Sequence, residues 1–206
     1  MKINITTIIF DLGGVLIDWN PEYVYRDVFH GDQEKVEWFL TKICNSEWNV
    51  QQDAGRTLQD GTDILVKQYP QYETWIRIFY DRWIEMLAGP IPATVDLLNK
   101  LKDDNKYRLL ALTNWSSETF PIALYKFEFL KYFEGIVVSG DEKTTKPSPK
   151  IYELLIERYR LSPENCVFID DNFDNIMAAK EFGIYGIHYK SPAQLDRELL
   201  KLKISF

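Results

Sequence analysis

The chain reads as an α/β fold, a doubly wound parallel sheet with an inserted all-helical segment, and three observations predict it. From about Thr94 onward short apolar runs alternate with helical periods, as parallel strands and their crossover helices do. The run Thr7-Ile8-Ile9-Phe10 ends abruptly at Asp11, with Gly13 and Gly14 just beyond. A buried strand that stops at a carboxylate on a tight turn sets an anionic oxygen at the mouth of a sheet, where it can attack or hold a metal. Between that strand and the rest, residues 18–88 carry Trp, Tyr and Phe at helical spacing and hold no convincing β-type run.

The elements follow in order. Strands are expected at Ile5 to Phe10, Tyr107 to Leu112, Gly135 to Val138, Cys166 to Ile169 and Tyr185 to Tyr189, each followed by a loop and a helix. Glu34 to Leu40 and Trp75 to Leu87 read as amphipathic helices of the insertion. Leu16 to Asp18 and Gly89-Pro90-Ile91-Pro92 read as hinges, which divides the chain into a core of residues 1–17 and 89–206 and a helical cap of residues 18–88. Ser148-Pro149, Ser162-Pro163 and Ser191-Pro192 each offer a hydroxyl cap before a proline at the first helical position. Gly183 suits the left-handed end of a helix over Asp174 to Phe182. Right-handed crossovers let the chain wind one way through strands two and three, then return to the far side of strand one with strands four and five. Strands two, one and four then become neighbours.

Composition narrows the class. With 206 residues, 46 % apolar and 27 % charged, the chain resembles an ordinary soluble globular protein with a sizeable core. A net charge of −7 argues against nucleic acid and anionic membrane surfaces as partners. Cys44 and Cys166 match no metal-ligand spacing and read as reduced thiols. Asp11 interrupts the N-terminal apolar run before a secretory core could form, and no stretch approaches membrane-spanning length. A cytoplasmic protein, monomer or homodimer, is the expectation.

Polar residues follow four of the strands: Asp11; then Thr113 and Asn114; then Thr145, Lys146 and Pro147; then Asp170 and Asp171. In an open parallel sheet the C-terminal strand ends share one edge, and ligands bind where the strand order reverses. Three carboxylates at that edge repel one another unless some are protonated or a cation sits among them. Hard oxygen ligands with open positions favour Mg²⁺. Thr113, the Asn114 backbone N–H and Lys146 supply donors and a positive charge suited to a phosphoryl group.

In sequence order, Asp11-Leu12-Gly13-Gly14-Val15, Leu112-Thr113-Asn114, Lys146-Pro147-Ser148-Pro149 and Phe168-Ile169-Asp170-Asp171 closely resemble the motifs of the haloacid dehalogenase superfamily. The helical insertion falls where that family carries its small cap. The resemblance implies a Rossmann-like core, with Asp11 as the nucleophile that forms an aspartyl-phosphate and Thr113 and Lys146 on the phosphoryl oxygens. It implies a metal held by Asp11, the Gly13 carbonyl and Asp171, with Asp170 ligating directly or through water. The implied substrate is a small phosphorylated metabolite, with sugar phosphates among the candidates.

The pattern breaks at Gly13, where most phosphatases of that superfamily carry a second Asp as general acid and base. Glycine cannot protonate a leaving alkoxide, a role commonly worth about two to four powers of ten in rate. Either the leaving group is a good one, or a cap residue or water donates the proton. A 2-haloacid dehalogenase is the alternative, since halide needs no proton, but those enzymes work without metal and lack the adjacent acid pair. A non-catalytic phosphate-switched module or idle scaffold is the alternative of another class.

Single residues have plainer readings. Asp170 or Asp171 can cap the helix that follows, and Asp174 reads as a first-turn helix charge. Ser116 and Ser117 read as helix starters, and His30 and His188 as structural or exposed. Trp19, Asn20, Tyr23, Trp48 and Arg56 are candidates to shape a substrate pocket, with Asn20 and Tyr23 favoured for contact because they follow closest on the first strand.

Overall fold

The computed structural model describes residues 4–204. Five parallel strands, β1 (Thr7–Phe10), β4 (Arg108–Thr113), β5 (Gly135–Val138), β6 (Cys166–Asp170) and β7 (Tyr185–His188), form one sheet in the order β5-β4-β1-β6-β7. That is the predicted order, with the reversal beside the first strand. A second, two-stranded sheet pairs β2 (Ile17–Trp19) antiparallel with β3 (Leu87–Pro90).

Period-two alternation buries both faces of the large sheet. Ile8, Phe10, Leu109, Ala111, Val167 and Ile169 join one apolar cluster, whereas Ile9, Leu110, Leu112, Val137 and Phe168 join the other. The helices are α1 (Glu22–Val28), α2 (Gln33–Lys42), α3 (Ser46–Asp53), α4 (Leu58–Gln68), α5 (Glu73–Asp81), α6 (Pro92–Asp104), α7 (Phe120–Lys126), α8 (Ser139–Glu142), α9 (Pro149–Tyr159), α10 (Phe173–Glu181) and α11 (Pro192–Lys201). Leu97, Leu98 and Leu101 of α6 and Leu195 and Leu199 of α11 cover the first face. Ile151, Tyr152 and Leu155 of α9 and Ile176 and Ala179 of α10 cover the second. A strand with helices on both sides needs no polar face, which is why Thr7-Ile8-Ile9-Phe10 is buried throughout.

The first five helices lie between β2 and β3 and close on an aromatic core. Tyr25, Phe29, Phe39, Phe79 and Trp48 are all buried, with the Tyr25 and Phe39 ring centroids 4.8 Å apart. The Tyr25 hydroxyl donates to the Trp75 carbonyl at 2.9 Å, and the Trp48 indole N–H donates to the Gly61 carbonyl at 2.8 Å. Aromatic bodies thus enter the core without stranding their polar tips.

Several local expectations are corrected. The two hinges are not bare linkers but the β2–β3 ribbon, held because Ile17 and Leu87 are buried against the core. The helix expected over Trp75 to Leu87 ends at Asp81, and Trp83–Met86 forms a 3₁₀ turn before β3. Of the three Ser-Pro starts, only Ser191 caps with its side chain, accepting from the Gln194 N–H at 3.3 Å. Ser148 makes no side-chain cap, and Ser162 opens only the short 3₁₀ turn Pro163–Asn165. Gly183, at φ +85°, follows the end of α10 in the expected left-handed conformation. No helix among the described residues is long and apolar enough to cross a membrane.

Candidate active site

Strand register builds the site. Phe10 lies opposite Ala111 of β4 and Ile169 of β6, so the next residues in each chain, Asp11, Leu112 and Asp170, stand level at the C-terminal edge. The Asp11 N–H continues the ladder to the Ile169 carbonyl at 2.8 Å, and its Oδ1 accepts from the Leu12 N–H at 2.7 Å. The carboxylate is therefore fixed by backbone on a rigid strand end.

Lys146 enters from the loop after α8 and is almost fully buried. Its Nζ lies 2.9 Å from Asp11 Oδ1 and 2.7 Å from Asp170 Oδ2, and donates to the Leu112 carbonyl at 2.9 Å. All its donors have oxygen partners, as a buried ammonium requires. Burial pulls the Lys146 ammonium down, and the charges of Asp11 and Asp170 more than reverse this, so it stays protonated. Desolvation pushes the Asp11 carboxyl up to about 7, against the pull of Lys146 and with a further push from Asp170 and Asp171.

The acid pair divides. Asp170 is fully buried and saturated: besides Lys146, it accepts from the Asn172 N–H at 2.8 Å and from Asn175 Nδ2 at 3.1 Å. Asp171 sits at the exposed rim, its carboxyl raised by desolvation and by the neighbouring Asp170 charge. Helix α10 is capped by Asn172, which accepts from the Asp174 N–H at 2.9 Å, so neither Asp of the pair serves as the side-chain cap. Gly14 holds φ +72°, and a Cβ there would collide with the Asp171 carboxylate.

Asp11, Asp170 and Asp171 each offer an oxygen within 4.8 Å of the others, a grouping that could hold a metal ion. One ammonium against three carboxylates leaves excess negative charge, and the donor set is all oxygen, so the residues fit a hard divalent cation. At the same sheet edge Thr113 Oγ1, at the end of β4, is buried with no hydrogen-bond partner. Such a donor is costly unless something arrives to accept from it.

The structure brings together Asp11, Thr113, Asn114, Lys146, Asp170 and Asp171, with Gly13 on the adjoining turn. The Asn114 side chain binds the Lys146 backbone instead of facing the carboxylates. Asn20 and Tyr23 do not join the group. Asn20 Oδ1 accepts from the Glu22 N–H at 2.9 Å at the start of α1, and the Tyr23 hydroxyl donates to the Asp18 carboxylate at 2.9 Å. Proximity in sequence to β1 is spent on local turn bonds. Trp48 is used in the insertion's core, and Arg56 donates to Gln52 Oε1 at 2.6 Å. His188 shares a 2.9 Å hydrogen bond with the Asp171 carbonyl, a structural use of the ring.

A cavity of about 70 Å³ opens where the helical insertion meets this edge; Gly13, Asn114 and Ser116 line it from the sheet, and Trp19, Asp53 and Trp83 from the insertion. Sequence reasoning missed Asp53 and Ser139. The Ser139 hydroxyl donates to the Asp53 carbonyl at 2.6 Å and accepts from the Trp115 N–H at 2.9 Å, tying α3 to the loop after β4. The one signal available for Asp53 was an acid at the C-terminal end of a helix, where the dipole disfavours its charge.

Known proteins share this architecture. A sesquiterpene phosphatase, astK, of Aspergillus oryzae is 28 % identical over 195 residues, covering 94 % of each chain. A phosphorylated carbohydrates phosphatase of Thermotoga maritima is 27 % identical over 88 % of this chain and 83 % of its own. Among solved structures, the HAD family enzyme bt-2542 of Bacteroides thetaiotaomicron, in complex with magnesium and inorganic phosphate, superposes with a TM-score of 0.67 at 26 % identity, covering 91 % of this chain and 95 % of its own. Residues 5–183 match the family model of haloacid dehalogenase-like hydrolases, so this chain belongs to that family and is a hydrolase.

Proposed function

We propose that the protein is a Mg²⁺-dependent phosphomonoester hydrolase that cleaves a small phosphorylated metabolite through an aspartyl-phosphate on Asp11. The observation that carries the reading is the buried, unpartnered Thr113 hydroxyl at the sheet edge where Asp11, Asp170 and Asp171 cluster and Lys146 pairs with the first two. A donor without an acceptor and an excess of carboxylates together call for a phosphate and a cation. The relatives' names and the magnesium and phosphate complex of the structural neighbour support the same class.

Asp11, Asp171 and the Gly13 carbonyl are the proposed metal-holding groups, with Asp170 directed mainly at Lys146, which its carboxylate already engages. Bound there, Mg²⁺ would offset the charge on the carboxylates and on the phosphoryl oxygens. Asp11, its orientation set by the Leu12 N–H, attacks phosphorus; Thr113 and Lys146 bind the transferring oxygens; water then cleaves the acyl phosphate. The helices of residues 18–88 act as the cap that covers the edge and excludes bulk water. The aromatic lining of the cavity, Trp19, Tyr80, Trp83 and Trp115, suits a compact leaving group with an apolar face, such as a sugar ring. Cys44 and Cys166 are buried free thiols, which supports a reducing compartment, the cytoplasm.

A screen of phosphorylated metabolites with Mg²⁺, run beside Asp11→Asn, tests the reading. Phosphate release that needs Mg²⁺ and vanishes in the variant is expected. Metal-independent halide release from 2-haloacids, without phosphatase activity, would replace it with the dehalogenase alternative.

A further inference from the structure

The position two residues after Asp11 is Gly13, and a Cβ placed there would meet nothing within 4 Å. The space in which a proton donor on that residue would stand is open, and it belongs to the cavity at the seam between insertion and sheet. Across the same cavity stands Asp53, the last residue of α3 and the only carboxylic acid among the lining residues.

We propose that Asp53 is the general acid and base of this hydrolase, supplied by the helical insertion in place of the side chain that Gly13 lacks. The assignment rests on the phosphomonoesterase reading above. In the first step a bond forms between an Asp11 carboxylate oxygen and phosphorus as the bond from phosphorus to the ester oxygen breaks. The departing electron pair takes the Asp53 proton, and the alcohol leaves. In the second step water attacks phosphorus and gives its proton to the Asp53 carboxylate. The bond from phosphorus to Asp11 breaks, its electron pair returning to the Asp11 carboxylate, and Asp53 is again protonated. The sum is ester plus water to alcohol plus phosphate.

Four features place and tune the group. Asn49 Nδ2 donates to Asp53 Oδ2 at 3.2 Å from the preceding turn of α3. The Ser116 backbone amide, in the loop after β4, acts on the carboxyl from the sheet side of the seam and favours its charged form. The Ser139 hydroxyl fixes the Asp53 carbonyl, locking the end of α3 on the sheet. The C-terminal end of a helix also disfavours a negative charge, which favours the protonated form.

Burial pushes this carboxyl up to about 7, although the Ser116 N–H pulls the other way, so it can give and retake a proton near neutral pH. The other titratable groups near it are poorer donors. Tyr80 of α5 faces it, but burial drives that phenol far above neutrality, and its hydroxyl donates to Asn49 Oδ1 at 3.0 Å. Arg56, just beyond α3, is engaged by Gln52 and the Trp48 carbonyl. Lys143, after α8, packs its side chain beside Gly55, and Lys146 is committed to Asp11 and Asp170.

The test is steady-state kinetics with Mg²⁺ on two esters, p-nitrophenyl phosphate, whose leaving group departs without a proton, and benzyl phosphate, whose alkoxide needs one. In Asp53→Asn, kcat for benzyl phosphate should fall about 10²- to 10⁴-fold, and kcat for p-nitrophenyl phosphate by less than about tenfold. The alkaline fall of the wild-type benzyl phosphate profile should disappear with it. Equal losses on both esters, or unchanged benzyl phosphate turnover, would overturn the role of Asp53 and leave the phosphatase reading standing. A wild-type enzyme that hydrolyses neither ester with Mg²⁺, nor any ester of the metabolite screen, would overturn both. The wild-type chain alone provides an arm that does not depend on the variant folding. Across a series of aryl and alkyl phosphates kcat/KM should vary weakly with leaving-group basicity, and a steep fall would mean that no proton is donated.

Discussion

Asn114 grips the backbone of Lys146 at both of its polar groups: Nδ2 donates to the Lys146 carbonyl at 2.9 Å, and Oδ1 accepts from the Lys146 N–H at 2.8 Å. A residue on one strand end thereby sets where the lysine of a distant loop can reach. Asn114→Ala removes both bonds at a cost of about 1–3 kcal/mol in stability. Positioning is more sensitive than folding, so kcat should fall by about 10²-fold or more. Urea unfolding and steady-state kinetics on the same preparation separate the two effects.

Thr113→Val tests whether the unpartnered hydroxyl is there for a ligand. It makes no hydrogen bond in the protein, so its loss should leave stability within about 1 kcal/mol of wild type or raise it slightly. Affinity for inorganic phosphate in the presence of Mg²⁺ should fall about tenfold, read by calorimetry. A variant that is less stable but binds phosphate normally would make Thr113 a structural residue.

Gly14→Ala strikes the turn and the acid pair together. The residue holds φ +72°, and the new methyl group would displace the Asp171 carboxylate. A loss of more than about 1 kcal/mol in stability is expected from the backbone alone. Weaker Mg²⁺ binding should accompany it, measured by the metal-dependent rise in Tm.

Asp53 should leave a pH signature on stability. Its folded pKa, about 7, lies above the ordinary 3.8, so the native state holds this proton more tightly than the unfolded chain does. The contribution is present below the unfolded value and is lost as pH rises through about 7. Asp53→Asn lacks this term. The wild-type stability minus that of the variant should therefore decline between pH 4 and pH 8 by on the order of a few kcal/mol, read by urea unfolding at each pH.

Much of this molecule is legible in its residues. The five parallel strands, the order across β4, β1 and β6, and the four polar loops all follow from apolar runs with Asp, Thr, Lys and Asp at or beyond their C-terminal ends, because strand period and turn chemistry are local. The misses have one cause in common. Ser148 looks like a cap, yet its hydroxyl is not used as one. The hinges look like linkers, yet Ile17 and Leu87 find enough buried surface to pair as a ribbon.

The sequence by itself determined the class: buried strands, helices on both faces, acids and a lysine delivered to one edge, and a missing side chain at Gly13. Only the tertiary structure decided which groups meet, namely that Lys146 pairs with both Asp11 and Asp170, that Asp171 is left open at the rim, and that Asp53 arrives from the insertion opposite Gly13. The physical reason is range. Period, capping and turn residues act over a few neighbours, whereas the partner of a buried charge depends on strand register and on how one packed body seats against another.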